Sequence, residues 1–139
     1  MRVRFRALTT TKSRAKATDS LKKDIKDYLT KFGQETIAEL RQYPPVPETS
    51  NYHRTYALQR SWKAPLYETA GGLTLSIKND VENDAANIRH RRYQTFVVGE
   101  DQTAYHAANG WPYVPDEIDK RRKQFRSGLM KLYNKHLGD

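Results

Sequence analysis

The sequence predicts an α+β domain: a small, mostly antiparallel sheet of about four strands, packed by a long helix in the N-terminal half and a C-terminal helix. Three patterns predict it. Residues 1–8 alternate charged and apolar side chains, an apolar stripe at helical spacing follows from Leu21, and Ala70-Gly71-Gly72 separates two strand-like runs. With 139 residues, the chain suits one compact domain rather than two.

The elements follow in order. Arg2, Arg4 and Arg6 alternate with Val3, Phe5 and then Ala7 or Leu8, the period-two signature of a half-buried strand. A polar stretch from Thr9 to Thr18 leads to a helix that Thr18, Asp19 or Ser20 is placed to cap by accepting a backbone N–H. Leu21, Ile25, Tyr28, Leu29, Phe32, Ile37 and Leu40 form its apolar face, with Gly33 as a weak point in the middle. Tyr43-Pro44-Pro45-Val46-Pro47 ends it, because proline lacks the N–H and restricts the residue before it. Ser61 to Glu68 and Leu73 to Lys78 read as a hairpin. Leu73, Leu75 and Ile77 share one face, and Thr74, Ser76 and Lys78 the other. Asn79 to Asn87 reads as a long polar loop, part of an extended loop near 79–92. Tyr93 to Val98 fits either a strand or a short helix, and Gly99 to Pro115 reads as irregular. Pro115-Asp116 opens the last helix, where Ile118, Phe125, Leu129, Leu132 and Tyr133 form the stripe.

Charge sets the partner class. Twenty-five Lys and Arg against 16 Asp and Glu give a net charge of +9, which favours a polyanionic neighbour: nucleic acid, an anionic surface or an acidic protein face. No acidic residue precedes Asp19, whereas Arg2, Arg4, Arg6, Lys12, Arg14 and Lys16 do. Two further clusters are Arg89-His90-Arg91-Arg92 and Lys120-Arg121-Arg122-Lys123. No apolar run reaches the ~18–20 residues that span a bilayer. The opening Met1-Arg2-Val3-Arg4-Phe5-Arg6 holds no secretory apolar stretch, so no membrane association and synthesis in the cytoplasm are expected.

Chemistry of the common catalytic kinds is not encoded in a recognisable pattern. The absence of cysteine excludes disulfides, thiolate metal sites and thiol nucleophiles. His53, His90, His106 and His136 lie far apart, without short metal-ligand spacing. Glu100-Asp101 beside His106 is a thin acid/base candidate, and Gly71-Gly72 lacks the lysine and helix of a phosphate loop. The expectation is a protein without enzymatic activity, cofactor or metal.

Two segments are more particular. One runs from the proline break through Arg54, Thr55, Leu58, Ser61 and Trp62, an R-T-x-x-L-x-x-S-W element in which Leu58 and Trp62, four apart, are placed to face one way on a short helical turn. The other holds Tyr93, Val97, Gly99 and Gln102, followed by His106 and Gly110-Trp111. In this order and spacing the chain resembles the head–tail joining, neck and tail-completion proteins of long-tailed phages, often labelled minor tail proteins. The resemblance covers roughly residues 40–115. The chain differs from the family in one place, an apparent insertion from Val81 to Arg92.

The resemblance implies a structural virion protein, made in the host cytoplasm. It would form a ring at the head–tail junction or the head-proximal tail end, a hexamer in preference to a dodecamer. Its neighbours would be other neck, adaptor, stopper or tail-tube proteins, with genomic double-stranded DNA as a passing contact. Assembly contacts are then expected from Arg54, Thr55, Leu58, Trp62, Arg89, Arg91, Arg92, Gln102, His106 and Trp111. DNA or acidic partners would be met by Arg2, Arg4, Arg6, Lys12, Arg14, Lys16, Lys120, Arg121, Arg122 and Lys123. The alternative is a small, basic, sequence-independent nucleic-acid-binding module, with Tyr52, Tyr56, Trp62 or Trp111 as stacking platforms.

Overall fold

The computed structural model describes residues 2–8, 19–46, 48–49, 57–69, 71–79, 98–100 and 102–138. Its elements are β1 (Arg2–Leu8), α1 (Asp19–Leu40), α2 (Ala57–Arg60), β2 (Trp62–Lys63), β3 (Leu66–Thr69), β4 (Gly72–Asn79), α3 (Ala104–Ala108) and α4 (Val114–Leu137). The fold is α+β, with one antiparallel four-stranded sheet and two long helices, as the sequence patterns imply.

β4 is the central strand. β1 pairs along one edge, with Arg2 opposite Lys78 and Leu8 opposite Gly72. β2 and β3 share the other edge, Trp62 facing Asn79 and Thr69 facing Gly72. They are two pieces of one strand. The register never slips between them, and the ladder is interrupted only where Pro65 has no N–H to give. One bond survives at the break, from Ser76 N to Pro65 O at 2.9 Å.

The pleat sorts the side chains. Val3, Phe5 and Ala7 stand opposite Ile77, Leu75 and Leu73 on the core face, and all but the half-buried Val3 are buried. Ala7, rather than Leu8, completes the inner row; Leu8 is half exposed. α1 and α4 cover that face together. Phe5, Phe32 and Phe125 meet with ring centroids 5.1–5.5 Å apart, joining β1, α1 and α4 at one point. Burial of each such ring contributes roughly 1.5–3 kcal/mol, and the tilted and edge-on geometries add somewhat more. Gly33 lies where α1 crosses the sheet, and a Cβ there would come 3.0 Å from Leu75 Cδ1 and 3.1 Å from Ala64 Cβ. The apparent weak point in the stripe is a close-approach point.

Three sequence expectations change. Asn79 is not the start of a loop. It ends β4, buried, with its Nδ2 donating to Leu58 O at 2.9 Å. The segment expected to be irregular contains α3, capped by Thr103, whose hydroxyl accepts from His106 N. Third, Leu58 sits on α2 but Trp62 sits on β2, so the pair does not share one helical turn; both are buried in the core. The undecided stretch 93–97 and residues 80–92 of the expected loop lie outside the described residues.

Candidate polyanion-binding face

The sheet's second face is where the basic charge of β1 is displayed. Because successive strand residues point to opposite sides, Arg2, Arg4 and Arg6 are exposed opposite the face that carries Phe5 and Ala7. Their steps along the strand are roughly 6.8 Å. Across the ladder they stand against Lys78, Ser76 and Thr74, and Tyr67 of β3 stands beyond Thr74. No helix among the described residues covers this side, and Tyr67 is 49% exposed.

Between these side chains lies an open depression of about 540 Å³, lined by the three arginines, Tyr67, Thr69, Thr74 and Ser76. Among the described residues, none of the three guanidinium groups has an ion-pair partner. Arginine stays charged at any working pH. Neighbouring charges at this separation repel by roughly 0.6 kcal/mol in water, a cost small enough for the fold to carry and one that a bound anion cancels. Ser76 adds a second feature. It is 3% exposed, and its hydroxyl has no hydrogen-bond partner among the described residues. A buried unpaired hydroxyl costs about 1–3 kcal/mol.

The basic helix cluster behaves differently. Lys120, Arg122 and Lys123 are exposed on α4, and the first two pair within the helix, Lys120 with Glu117 at 3.7 Å and Arg122 with Asp119 at 2.9 Å. Arg121 was expected to meet a partner, but it is turned inward. Its Nε donates to Glu39 Oε2 at 3.0 Å, another of its nitrogens pairs with Glu39 Oε1, and its Nη1 donates to Gln124 Oε1 at 3.0 Å. The guanidinium lies 5.8 Å from the Phe32 ring centroid. With only 6% of the residue exposed, Arg121 is a strut between α4 and α1.

The assembly candidates divide as well. Arg54, Thr55, Arg89, Arg91 and Arg92, together with Lys12, Arg14 and Lys16, lie outside the described residues. Leu58 is buried in the core, and Trp62, Gln102, His106 and Trp111 come together. Trp62 Nε1 donates to Tyr43 Oη at 2.9 Å, and the Tyr43 ring stacks on Trp111 at 4.9 Å. His106 meets the Trp111 ring edge-on at 5.5 Å, and Gln102 Nε2 donates to Trp111 O and Pro112 O. Residues from the proline break, the S-W element and the H-x-x-x-G-W element thus form one aromatic cluster beyond the C-terminal end of α1. His106 Nδ1 lies 2.7 Å from Thr103 Oγ1, and burial lowers the ring's pKa. Among the described residues no carboxylate pairs with it, and no His or carboxylate group is arranged to hold a metal.

Sequence reading missed Tyr67, Thr74 and Ser76 as members of the face. The signal was present. The hairpin signal at Ala70-Gly71-Gly72, read as antiparallel pairing, puts Tyr67 beside Thr74, and the alternation of β4 puts Ser76 on the arginine side. In comparisons with protein-family models, curated proteins and solved structures, nothing matches this chain.

Proposed function

We propose that the chain is a non-enzymatic structural protein of a tailed-phage virion. In this reading it assembles as a ring at the head–tail junction or head-proximal tail end, joins head to tail and continues the DNA channel. The observation that carries the reading is the convergence of Tyr43, Trp62, Gln102, His106 and Trp111 in one cluster. Segments whose order and spacing resemble the joining proteins act as one structural unit, as parts of a common domain must. The arginine face, which no helix among the described residues covers, supports it too, since a channel or docking ring has to meet phosphates or acidic neighbours. A heterologous contact repeated about an axis closes a ring, a hexamer by the family resemblance.

Within that reading, the stretch 80–92 is a docking element, and the edge of β1, unpaired with any further strand among the described residues, is open to a neighbour's strand. Immunogold labelling of phage particles assembled with the tagged chain tests the function. Label at the head–tail junction is expected; particles that join normally and contain none of the protein overturn it.

The second reading, a free sequence-independent nucleic-acid-binding module, is favoured by the same arginine row with Tyr67 at its margin. Light scattering and negative-stain imaging separate the two: rings favour the joining protein, and a monomer that binds DNA with a steep salt dependence favours the module.

A further inference from the structure

We propose that the outer sheet face holds a built phosphate subsite, centred on the Ser76 hydroxyl and Arg4, that takes the backbone of a single nucleic-acid strand. Arg4 stands directly opposite Ser76 in the β1–β4 register, and Arg2 and Arg6 flank it on the same face. All line one open depression. A serine hydroxyl brings one donor and two lone pairs, and native proteins rarely bury one without use. Here Ser76 is 3% exposed and lines that depression, and its hydroxyl is without a hydrogen-bond partner among the described residues. A phosphodiester oxygen accepts from the hydroxyl and from the Arg4 fork together, which is the geometry guanidinium groups favour.

A single carboxylate would satisfy the hydroxyl equally well. Two further observations select a nucleic-acid strand. The arginines repeat at an even step of roughly 6.8 Å along β1, so they present a row of cations to a chain of regularly spaced anions. Tyr67 stands half exposed on the same face, beyond Thr74 from Arg6. That is an aromatic surface on which an unpaired base stacks, and a base inside a duplex has no free face to offer. The hydrogen-bonding groups here suit phosphate rather than base edges, so binding is sequence-independent. The site is a property of the single domain and does not rest on ring formation.

The test is fluorescence anisotropy of the full chain with labelled oligothymidylate, against a duplex of equal length and against poly-glutamate. Oligothymidylate is expected to bind best, with log K falling against log salt at a slope of about −2 for three phosphates. Arg4→Ala is expected to make that slope shallower by about 0.7. Ser76→Ala is expected to weaken binding severalfold with the slope unchanged, because it removes a neutral hydrogen bond. Tyr67→Ala is expected to lower affinity for oligothymidylate at least about fivefold while leaving duplex binding unaltered. Thermal melts of the variants confirm that each is folded. Poly-glutamate binding as tightly as oligothymidylate overturns the proposal in favour of an acidic protein partner. Equal affinity for the duplex, or Ser76→Ala and Tyr67→Ala both without effect, overturns it as well.

Discussion

The ring of Tyr28 lies over Gly128: a Cβ built on Gly128 would stand 2.3 Å from Tyr28 Oη and 2.6 Å from its Cζ. The phenol reaches across from α1 and donates to Gln124 O and Phe125 O, so the ring fills the place a side chain at 128 would take. Gly128→Ala therefore sets two effects against each other. Alanine in a helix gains up to about 1 kcal/mol of propensity over glycine, while overpacking costs about 1–3 kcal/mol. The clash involves ring atoms held against Phe32 and Phe125, so the cost wins. A net loss of about 0.5–2 kcal/mol is expected in urea denaturation. In a Tyr28→Ala background the same substitution is expected to become neutral or stabilising, and a double-mutant cycle measures the difference.

Arg121 and its neighbours give a second contrast. Its fork is held by Glu39 and Gln124 in the α1–α4 contact. Arg121→Ala strands Glu39 and opens the space over Phe32. Removing one partner of a fully buried pair costs about 3–5 kcal/mol. Glu39 keeps 38% of its side chain exposed, so a loss of about 2–3 kcal/mol is expected. Arg121→Lys recovers only part of it, since an ammonium cannot span both carboxylate oxygens. Lys120→Ala and Arg122→Ala remove exposed intrahelical pairs and are each expected to stay within about 0.5 kcal/mol. Chemical denaturation of the four variants separates the strut from the solvated cations.

Arg121 also marks what the amino-acid order does and does not disclose. Period two over Arg2–Leu8 and the 3.6-residue stripe of Asp19–Leu40 suffice for the main elements, because burial of one face acts on every residue along them. Within Lys120-Arg121-Arg122-Lys123, residue type distinguishes nothing. Helical phase does: Arg121 lies three after Ile118 and four before Phe125, both buried, which puts it on the inner face. The arginine side of β1 was readable from alternation alone. That Tyr67 stands beside Thr74 follows from the local hairpin pairing, whereas setting both against the arginines needed the pairing of β1 with β4, a non-local fact. Asn79 needed more still, since the Leu58 carbonyl that holds it is 21 residues away.

The two tryptophans are expected to differ sharply. Trp62 is 2% exposed and joins β2 to Tyr43 through its indole N–H. Trp111 is half-buried, with one face on Tyr43. Large-to-small changes of buried aromatics cost about 3–5 kcal/mol, so Trp62→Ala is expected to leave little folded protein at 37 °C. Trp62→Phe keeps most of the volume and loses the hydrogen bond, a cost of about 1–2 kcal/mol. Trp111→Ala removes a stacked pair worth about 0.5–1.5 kcal/mol beyond area burial and is expected to leave the domain folded. Circular dichroism melts rank the three. Acrylamide quenching is expected to reach the emission of Trp62→Phe, which reports Trp111 alone, more readily than that of Trp111→Phe.

Acid stability rests on a clamp between α1 and the end of α4. Asp24 Oδ2 accepts from Lys135 Nζ at 2.9 Å and lies 2.9 Å from His136 Nε2. The Lys135 hydrogen bond first, then that of His136, lowers the Asp24 pKa from 3.8 to about 2. A carboxyl whose pKa is depressed in the folded state adds stability that is complete above its unfolded value. That stability is lost as pH falls through the folded one. Its contribution is therefore full above about pH 4 and disappears between there and about pH 2. Asp24→Asn is expected to lower Tm near neutrality, to narrow its deficit progressively below pH 4, and to melt with the parent near pH 2. The carboxylate is partly open to solvent, so added salt is expected to shrink the neutral-pH difference too. A deficit that persists unchanged at pH 2 would assign the role of Asp24 to packing rather than to its charge.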